Sequence, residues 1–226
     1  AATNADVIIT GETTNNYFAI SLTSGDFNAD GKTDLAVGAY NYTTATGRAY
    51  LFYSDGSFPT TAATADVIIT GETTNNSFGV SLASGDFNAD GKTDLAVGAN
   101  AYSTNTGRTY LFYNGSIITE NASGADIIIT GETRSIFVSV LLSGDHIFYD
   151  GKTDLAVGAY GYSTNTGRAY LFYNGSIITE NASGADIIIT GETTSNQLGY
   201  SLTSGDFNAD GKTDLAVGAY QYSTQT

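Results

Sequence analysis

The feature that most confines this chain is that it repeats itself. The string G-D-F-N-A-D-G-K-T-D-L-A-V-G-A begins at Gly25 and returns at Gly85 and Gly205. A damaged copy runs from Gly144 to Ala159, with D-G-K-T-D-L-A-V-G-A intact from Asp150. Around it, T-G-R-x-Y-L-F-Y recurs at Thr46, Thr106 and Thr166, and A-D-[V/I]-I-I-T-G-E-T at Ala5, Ala65, Ala125 and Ala185. Residues 103–133 and 163–193 differ at one place, Thr109 against Ala169. A unit of about sixty residues, met four times, must fold as stacked copies of one supersecondary structure. Each copy buries its apolar faces against its neighbours.

The unit is written in β-structure. Val, Ile, Tyr, Phe, Leu and Thr fall in short runs, Gly, Asn, Asp and Ser punctuate them, and no stretch carries a helical stripe. Four runs recur, at Phe78–Gly85, Asp94–Ala99, 108–113 and 126–130 in the second unit. Four short antiparallel strands per unit predict an all-β fold, a β-propeller of four-stranded antiparallel blades, over a single tandem-repeat region 1–226. A parallel β-helix competes, but its turns are shorter and carry fewer strands. The lone A-D-V-I-I-T at Ala5 and the missing G-R-x-Y-L-F-Y after Asp214–Ala219 leave the last blade without a third strand. The expectation is the remainder of a longer chain, or a homo-oligomer, completing the propeller, since an open edge invites aggregation.

The order Phe78-Gly79, Asp-rich loop, L-A-V-G-A with Gly98-Ala99 resembles the FG-GAP repeats of the integrin α-subunit propeller over nearly the whole chain. The Pro of G-A-P is absent from each unit, and the Phe-Gly pair becomes Phe18-Ala19, Phe137-Val138 and Leu198-Gly199 elsewhere. The resemblance implies a propeller of about seven blades, structural calcium loops and a role in adhesion.

The loop itself argues for a hard cation. In Asp26-Phe27-Asn28-Ala29-Asp30-Gly31-Lys32-Thr33-Asp34, side-chain oxygens fall at positions 1, 3, 5 and 9, and Lys32 at position 7 offers its backbone carbonyl. Ca²⁺ takes six to eight oxygens, and a Gly at position 6 permits the sharp turn. Position 12 is Val37, so this is a hairpin loop and not an EF-hand. The same roles fall to Asp86, Asn88, Asp90, Lys92 and Asp94 in loop 86–94, and to Asp206, Asn208, Asp210, Lys212 and Asp214 in loop 206–214. An Asx-rich turn that binds nothing is the competing reading. It leaves three carboxylates within nine residues without a counter-charge, so about three Ca²⁺ per chain are expected. In loop 145–154 the Ser-Gly-Asp triplet comes one residue early, so Asp150 and Asp154 keep their places while Asp145 sits five residues from Asp150. That site is expected to be weak, distorted or empty.

The remaining candidates divide between structure and recognition. His146, the single His, lies in the damaged loop. Glu12, Glu72, Glu132 and Glu192 recur in turns and read as structural hydrogen-bonders; Arg48, Arg108 and Arg168 should each meet a carboxylate or carbonyl within their own blade. Asn41, Asn75, Asn114, Asn121, Asn174 and Asn181 head N-x-[S/T] triplets, read either as glycan acceptors or as turn chemistry. In a four-stranded blade the loops joining strands 2–3 and 4–1 share the rim opposite the Asp loops. That rim gathers Asn75 and Asn76 with Tyr42, Tyr102, Tyr162 and Tyr222, residue types suited to recognition, although each Tyr could equally pack between blades.

Lys and Arg number 8 against 23 Asp and Glu, a net charge of −15, which argues against nucleic acid and anionic membranes as partners. There is no Cys, which removes disulfides and thiolate chemistry, and no apolar run long enough to insert into a bilayer. The expected function is non-catalytic: an extracellular or cell-surface module that recognises a protein or glycan ligand. A lectin and a domain of a polysaccharide-acting enzyme are the alternatives.

Overall fold

The computed structural model describes residues 5–132 and 150–222, together with the backbone of 141–145. His146, Phe137 and Val138 lie outside the described residues. The first unit contributes strands β1 (Ser21–Gly25), β2 (Asp34–Ala39), β3 (Arg48–Phe52) and β4 (Val67–Thr70), and the second β5 (Phe78–Gly85), β6 (Asp94–Ala99) and β7 (Arg108–Phe112). A two-residue strand β8 (Glu120–Asn121) then precedes β9 (Ile127–Thr130). The third unit holds β10 (Leu141–Asp145), β11 (Thr153–Ala159), β12 (Arg168–Phe172), the short β13 (Glu180–Asn181) and β14 (Ile187–Thr190); the fourth holds β15 (Leu198–Gly205) and β16 (Asp214–Ala219). The four expected runs of the second unit are met in the expected order, while β8 and β13 were not anticipated.

In the first three units strands 1 to 4 pair antiparallel, making the meander of a propeller blade, and in the fourth β15 and β16 pair antiparallel. The register repeats between blades: Ala39 faces Arg48, Ala99 faces Arg108 and Ala159 faces Arg168. Each blade also borrows from the next. β8 pairs parallel with β4, and β13 with β9, so the segment leading into a fourth strand clips onto the outer strand of the preceding blade. The residues at 5–10 form no strand; Thr10 makes an isolated bridge to Thr61 at the corresponding place.

Period-two alternation sorts the core into two kinds of face. Leu95, Val97, Ala99, Tyr110 and Phe112 of the second blade bury against Phe27, Ala36, Ala49 and Leu51 of the first. On its other side Ala96, Phe87 and Leu111 bury against Leu155, Val157, Tyr170 and Phe172 of the third. Bulky and small faces therefore meet at these junctions, and in the second and third blades D-L-A-V-G-A is buried on both sides because it runs through the middle of the stack. Gly79, at φ 85, explains the Phe-Gly pair. A Cβ there would run into the Arg48 carbonyl of the preceding blade.

Candidate functional site

The strand 1–2 loops fold by binding their own backbone. Asp26 accepts hydrogen bonds from the N–H groups of Asp30 (3.0 Å) and Gly31 (2.8 Å), while Asn28 Oδ1 accepts from the same Asp30 N–H (3.0 Å). Asp30 Oδ1 accepts from Lys32 N–H (2.9 Å), a bond that helps hold the Asp30 carboxyl below its ordinary range. Loops 86–94 and 206–214 repeat these bonds with Asp86, Asn88 and Asp90, and with Asp206, Asn208 and Asp210. Gly31, Gly91 and Gly211 all stand at φ 83, the left-handed turn that lets the chain reverse. Oxygens of positions 1 and 3 thus converge on one nitrogen.

The closing Asp behaves differently. Asp34 is buried and spends one oxygen on Phe27 N–H (2.9 Å) and the other on Ser54 N–H (2.8 Å); Asp94 does the same with Phe87 and Asn114. Burial pushes the Asp94 carboxyl up to about 6. The two N–H donors pull against that shift, and the neighbouring Asp90 and Asp86 add to it. Among the described residues, no three acidic or imidazole side chains are gathered as a group that would hold a metal ion.

The third loop shows where its extra residue goes. Gly25 faces Asp34 in the first blade, and Gly144 faces Asp154 in the third, so Asp145 is drawn into the ladder opposite Thr153. Asp150 Oδ1 still accepts from Lys152 N–H (3.1 Å), and Asp154 Oδ1 from Asn174 N–H (2.9 Å). Asp150 and Asp154 therefore each keep one of the repeat's bonds, while Asp145 has become part of a strand.

On the opposite rim the recurring Tyr residues have an occupation that the sequence reading set beside recognition. The guanidinium groups of Arg48, Arg108 and Arg168 lie 3.8, 3.8 and 3.7 Å from the ring centroids of Tyr42, Tyr102 and Tyr162. The same Arg residues pair with Glu12, Glu72 and Glu132 at 2.7, 2.7 and 2.8 Å, and their Nε donates to Thr70, Thr130 and Thr190. The Glu in each case sits in the connector entering the blade, 36 residues upstream, so the carboxylate reaches across from the turn between blades and does not come from the strands of the Arg's own blade. Tyr110 and Tyr170 hydroxyls also donate to Glu72 and Glu132, and burial together with these carboxylates raises both phenols. Tyr222 is exposed and donates to Glu192 (3.0 Å).

Asn76 is buried, while Asn75 is exposed at φ 61. The 4–1 turn and the 2–3 loop are tied together by Asn75 N–H to the Thr44 carbonyl and Ala101 N–H to the Asn76 carbonyl. Between them opens a polar pocket of about 380 Å³ lined by Thr73, Thr74, Asn75, Asn76, Ala101, Ser103, Thr104 and Asn105. Its floor is strained: Ser103, Thr104 and Asn105 have φ of 46, 58 and 69, and the first and third blades repeat the run. Left-handed backbone costs a non-glycine residue about 1–2 kcal/mol each.

Asn114 and Asn174, read in the sequence as glycan acceptors or turn chemistry, have a further role. Asn114 Nδ2 donates to the Asp26 carbonyl (3.0 Å), and Asn174 Nδ2 to the Asp86 carbonyl (2.6 Å), so each fastens an Asp loop to the blade that follows. Both lie in N-x-[S/T] triplets, and their side chains are committed to the stack. Asn121 and Asn181 accept from Ser123 and Ser183 N–H groups to cap short 3₁₀ turns, and donate across to Gly71 and Gly131. Their recurrence at a fixed offset from the Asp loop was the available signal.

Antiparallel four-strand units packed face to face, with hairpin loops along one rim, define this chain as a run of β-propeller blades. It belongs to the FG-GAP repeat family, whose profile matches residues 18–52, 78–112, 150–172 and 198–226. It is similar to phosphatidylinositol-glycan-specific phospholipase D of Bos taurus, 32% identical over 88% of this chain and 26% of that protein. It is also similar to integrin alpha-PS2 of Drosophila melanogaster (31%, over 90% of the chain and 15% of the relative) and integrin alpha-5 of Xenopus laevis (29%, 92% and 20%). The chain thus spans about a quarter or less of the length of these relatives.

Proposed function

We propose that these blades form a calcium-stabilised, non-catalytic recognition module acting outside the cell, and that the rim opposite the Asp loops carries the ligand contacts. The observation that carries this is the strained polar pocket at Thr73–Asn76 and Ala101–Asn105. Strain is retained where surrounding structure holds it for a purpose, and Asn, Ser and Thr lining gives adaptable hydrogen bonding to a protein or glycan. The polar lining and its repetition favour a glycan as the second reading, since several weak sites add avidity. The non-catalytic reading is supported by Glu12, Glu72 and Glu132 being engaged in Arg pairs. Similarity to both integrins and a phospholipase D leaves catalysis of a longer protein a separate matter.

Calcium enters through the donor set. Asp26, Asn28, Asp30 and Asp34, with the Lys32 carbonyl, offer oxygen alone, and each carboxylate oxygen keeps a second lone pair beyond its N–H bond. The equivalent residues of loops 86–94 and 206–214 do the same. A bound cation supplies positive charge that offsets the crowding of these carboxylates. Excess EDTA should lower the melting temperature by several degrees relative to millimolar Ca²⁺, and Asp90→Ala should reduce that difference by about a third. Identical melting curves in both buffers would exclude the calcium reading. For the ligand, a glycan array and a cell-binding assay are run in calcium, with Thr73→Lys and Thr74→Lys filling the pocket. Binding should be lost with stability nearly unchanged, as expected of exposed positions. Tyr102→Ser is a poorer probe, since it also strips Arg108 of its stacking partner.

A further inference from the structure

The polar pocket of the second blade has a counterpart in the first, and the two differ by one side-chain amide. The turn entering each blade is the same, Thr13-Thr14-Asn15-Asn16 and Thr73-Thr74-Asn75-Asn76. It is tied to the 2–3 loop by the same bond: Asn41 N–H donates to the Asn16 carbonyl and Ala101 N–H to the Asn76 carbonyl, each at 3.2 Å. The backbone at the two donors also agrees, with φ −97 in both. Their side chains do not. Asn41 Nδ2 reaches across to the Asn15 carbonyl at 2.7 Å and spans the gap with a carboxamide. Ala101 has no such group, and among the described residues the Asn75 carbonyl, counterpart of Asn15, receives no hydrogen bond.

The rest of the lining suits the missing group. Ser103 and Asn105 stand where the first blade has Thr43 and Ala45, so the second blade's pocket gains an amide of its own, and its lining carries no charged side chain. Its volume is about 380 Å³. At about 30 Å³ for a water-sized group, the three heavy atoms of a carboxamide take roughly a quarter of that space. The remainder admits the backbone that presents the group. In the third unit the position is Gly161, and the turn facing it lies outside the described residues.

We propose that this pocket is a carboxamide site whose ligand is an exposed Asn or Gln side chain of a protein partner, which rests on the reading of this rim as the ligand surface. The ligand's amide N–H donates to the Asn75 carbonyl, as Asn41 Nδ2 does to Asn15. Its amide oxygen accepts from the Ser103 hydroxyl or the Asn105 amide, both of which line the pocket. Asp and Glu are rejected. A carboxylate has the shape of a carboxamide but only acceptors, so it sets oxygen against the Asn75 carbonyl in a chain of net charge −15. A polypeptide ligand is favoured over an acetamido sugar because the group seated in the first blade is a primary carboxamide on a β-loop.

The test follows NMR amide shifts of the 226-residue chain during titration with a capped peptide of residues 39–43, Ala-Tyr-Asn-Tyr-Thr. Saturable shifts at residues 75, 76 and 101–105 are expected. The peptide carrying Asn41→Asp should bind about tenfold more weakly, the loss expected of one uncompensated hydrogen bond. Ala101→Asn in the chain supplies the amide from within, as the first blade does, and should weaken the parent peptide by a similar factor with the melting temperature unchanged. Ala101→Gly leaves the pocket open and should retain binding. Equal binding of the Asp peptide, no saturable shift at these residues, or insensitivity to Ala101→Asn overturns the proposal. Tighter binding of diacetylchitobiose than of the peptide assigns the pocket to an acetamido sugar and overturns it too. A cell-binding assay separates this failure from that of the rim. Loss with Thr73→Lys but not with Ala101→Asn keeps the rim as the ligand surface and overturns the carboxamide site. Indifference to both substitutions overturns the rim reading and the proposal with it.

Discussion

Small differences between repeats report what each residue faces. Gly79 stands at φ 85 under the Arg48 carbonyl, and the first unit puts Ala19 in the same place, at φ 67. Thr109 is the other informative position. Ala49 and Ala169 occupy its place in the neighbouring blades, and its hydroxyl is fully buried with no hydrogen-bond partner. An unsatisfied buried hydroxyl costs about 1–3 kcal/mol, more than a shape-matched methyl group would. Thr109→Val should therefore stabilise the chain by about 1 kcal/mol, read as a higher urea midpoint with an unchanged denaturant slope. A lower midpoint would show that the hydroxyl has a partner in solution, such as a buried water.

Strands and hairpins were legible from the sequence because their signals are local. Runs such as D-L-A-V-G-A, bounded by Gly and Asn turns, mark the strand, and the extra residue between Asp145 and Asp150 was visible as a register slip. The contacts between blades were not legible in the same way. Nothing near Arg108 names Glu72, 36 residues upstream, and nothing near Asn114 names the Asp26 carbonyl, 88 residues away. Those pairings depend on how one blade lies over another, which single-unit patterns do not encode. The Tyr-rich rim was open to both packing and recognition in the sequence, and the structure shows Tyr42, Tyr102 and Tyr162 stacked on Arg48, Arg108 and Arg168. Asn114 gives this scale its prediction. Its side chain donates to Asp26 and Thr93 carbonyls, two bonds worth about 1 kcal/mol each. Asn114→Ala should thus cost about 1–2 kcal/mol. The protection lost in hydrogen exchange should appear at loop 26–34 of the preceding blade as well as locally, whereas loss confined to the second blade would deny the link.

The whole molecule is a stack in which identical residues have different fates according to their neighbours. Phe27 and Phe87, in the same D-F-N-A-D motif, are each 1% exposed, and Phe207 is 61% exposed. On the other face, Leu82 is 8% exposed and Leu22 57%. The motif is constant, so burial at these positions is set by whether a blade lies on that side, as expected of a repeat whose stability is a sum of units and nearest-neighbour interfaces. Phe207→Ala should accordingly change stability by less than about 0.5 kcal/mol, while Phe87→Ala should cost about 3–5 kcal/mol, since a cavity opens between the second and third blades. The pair is a test of stacking and not of Phe itself, because loop sequence and hairpin geometry are shared. Chemical denaturation of both variants reads the difference directly. Equal losses would mean that Phe207 is covered in solution. A loss at neither site would mean that the loop phenylalanines do not hold the blades together.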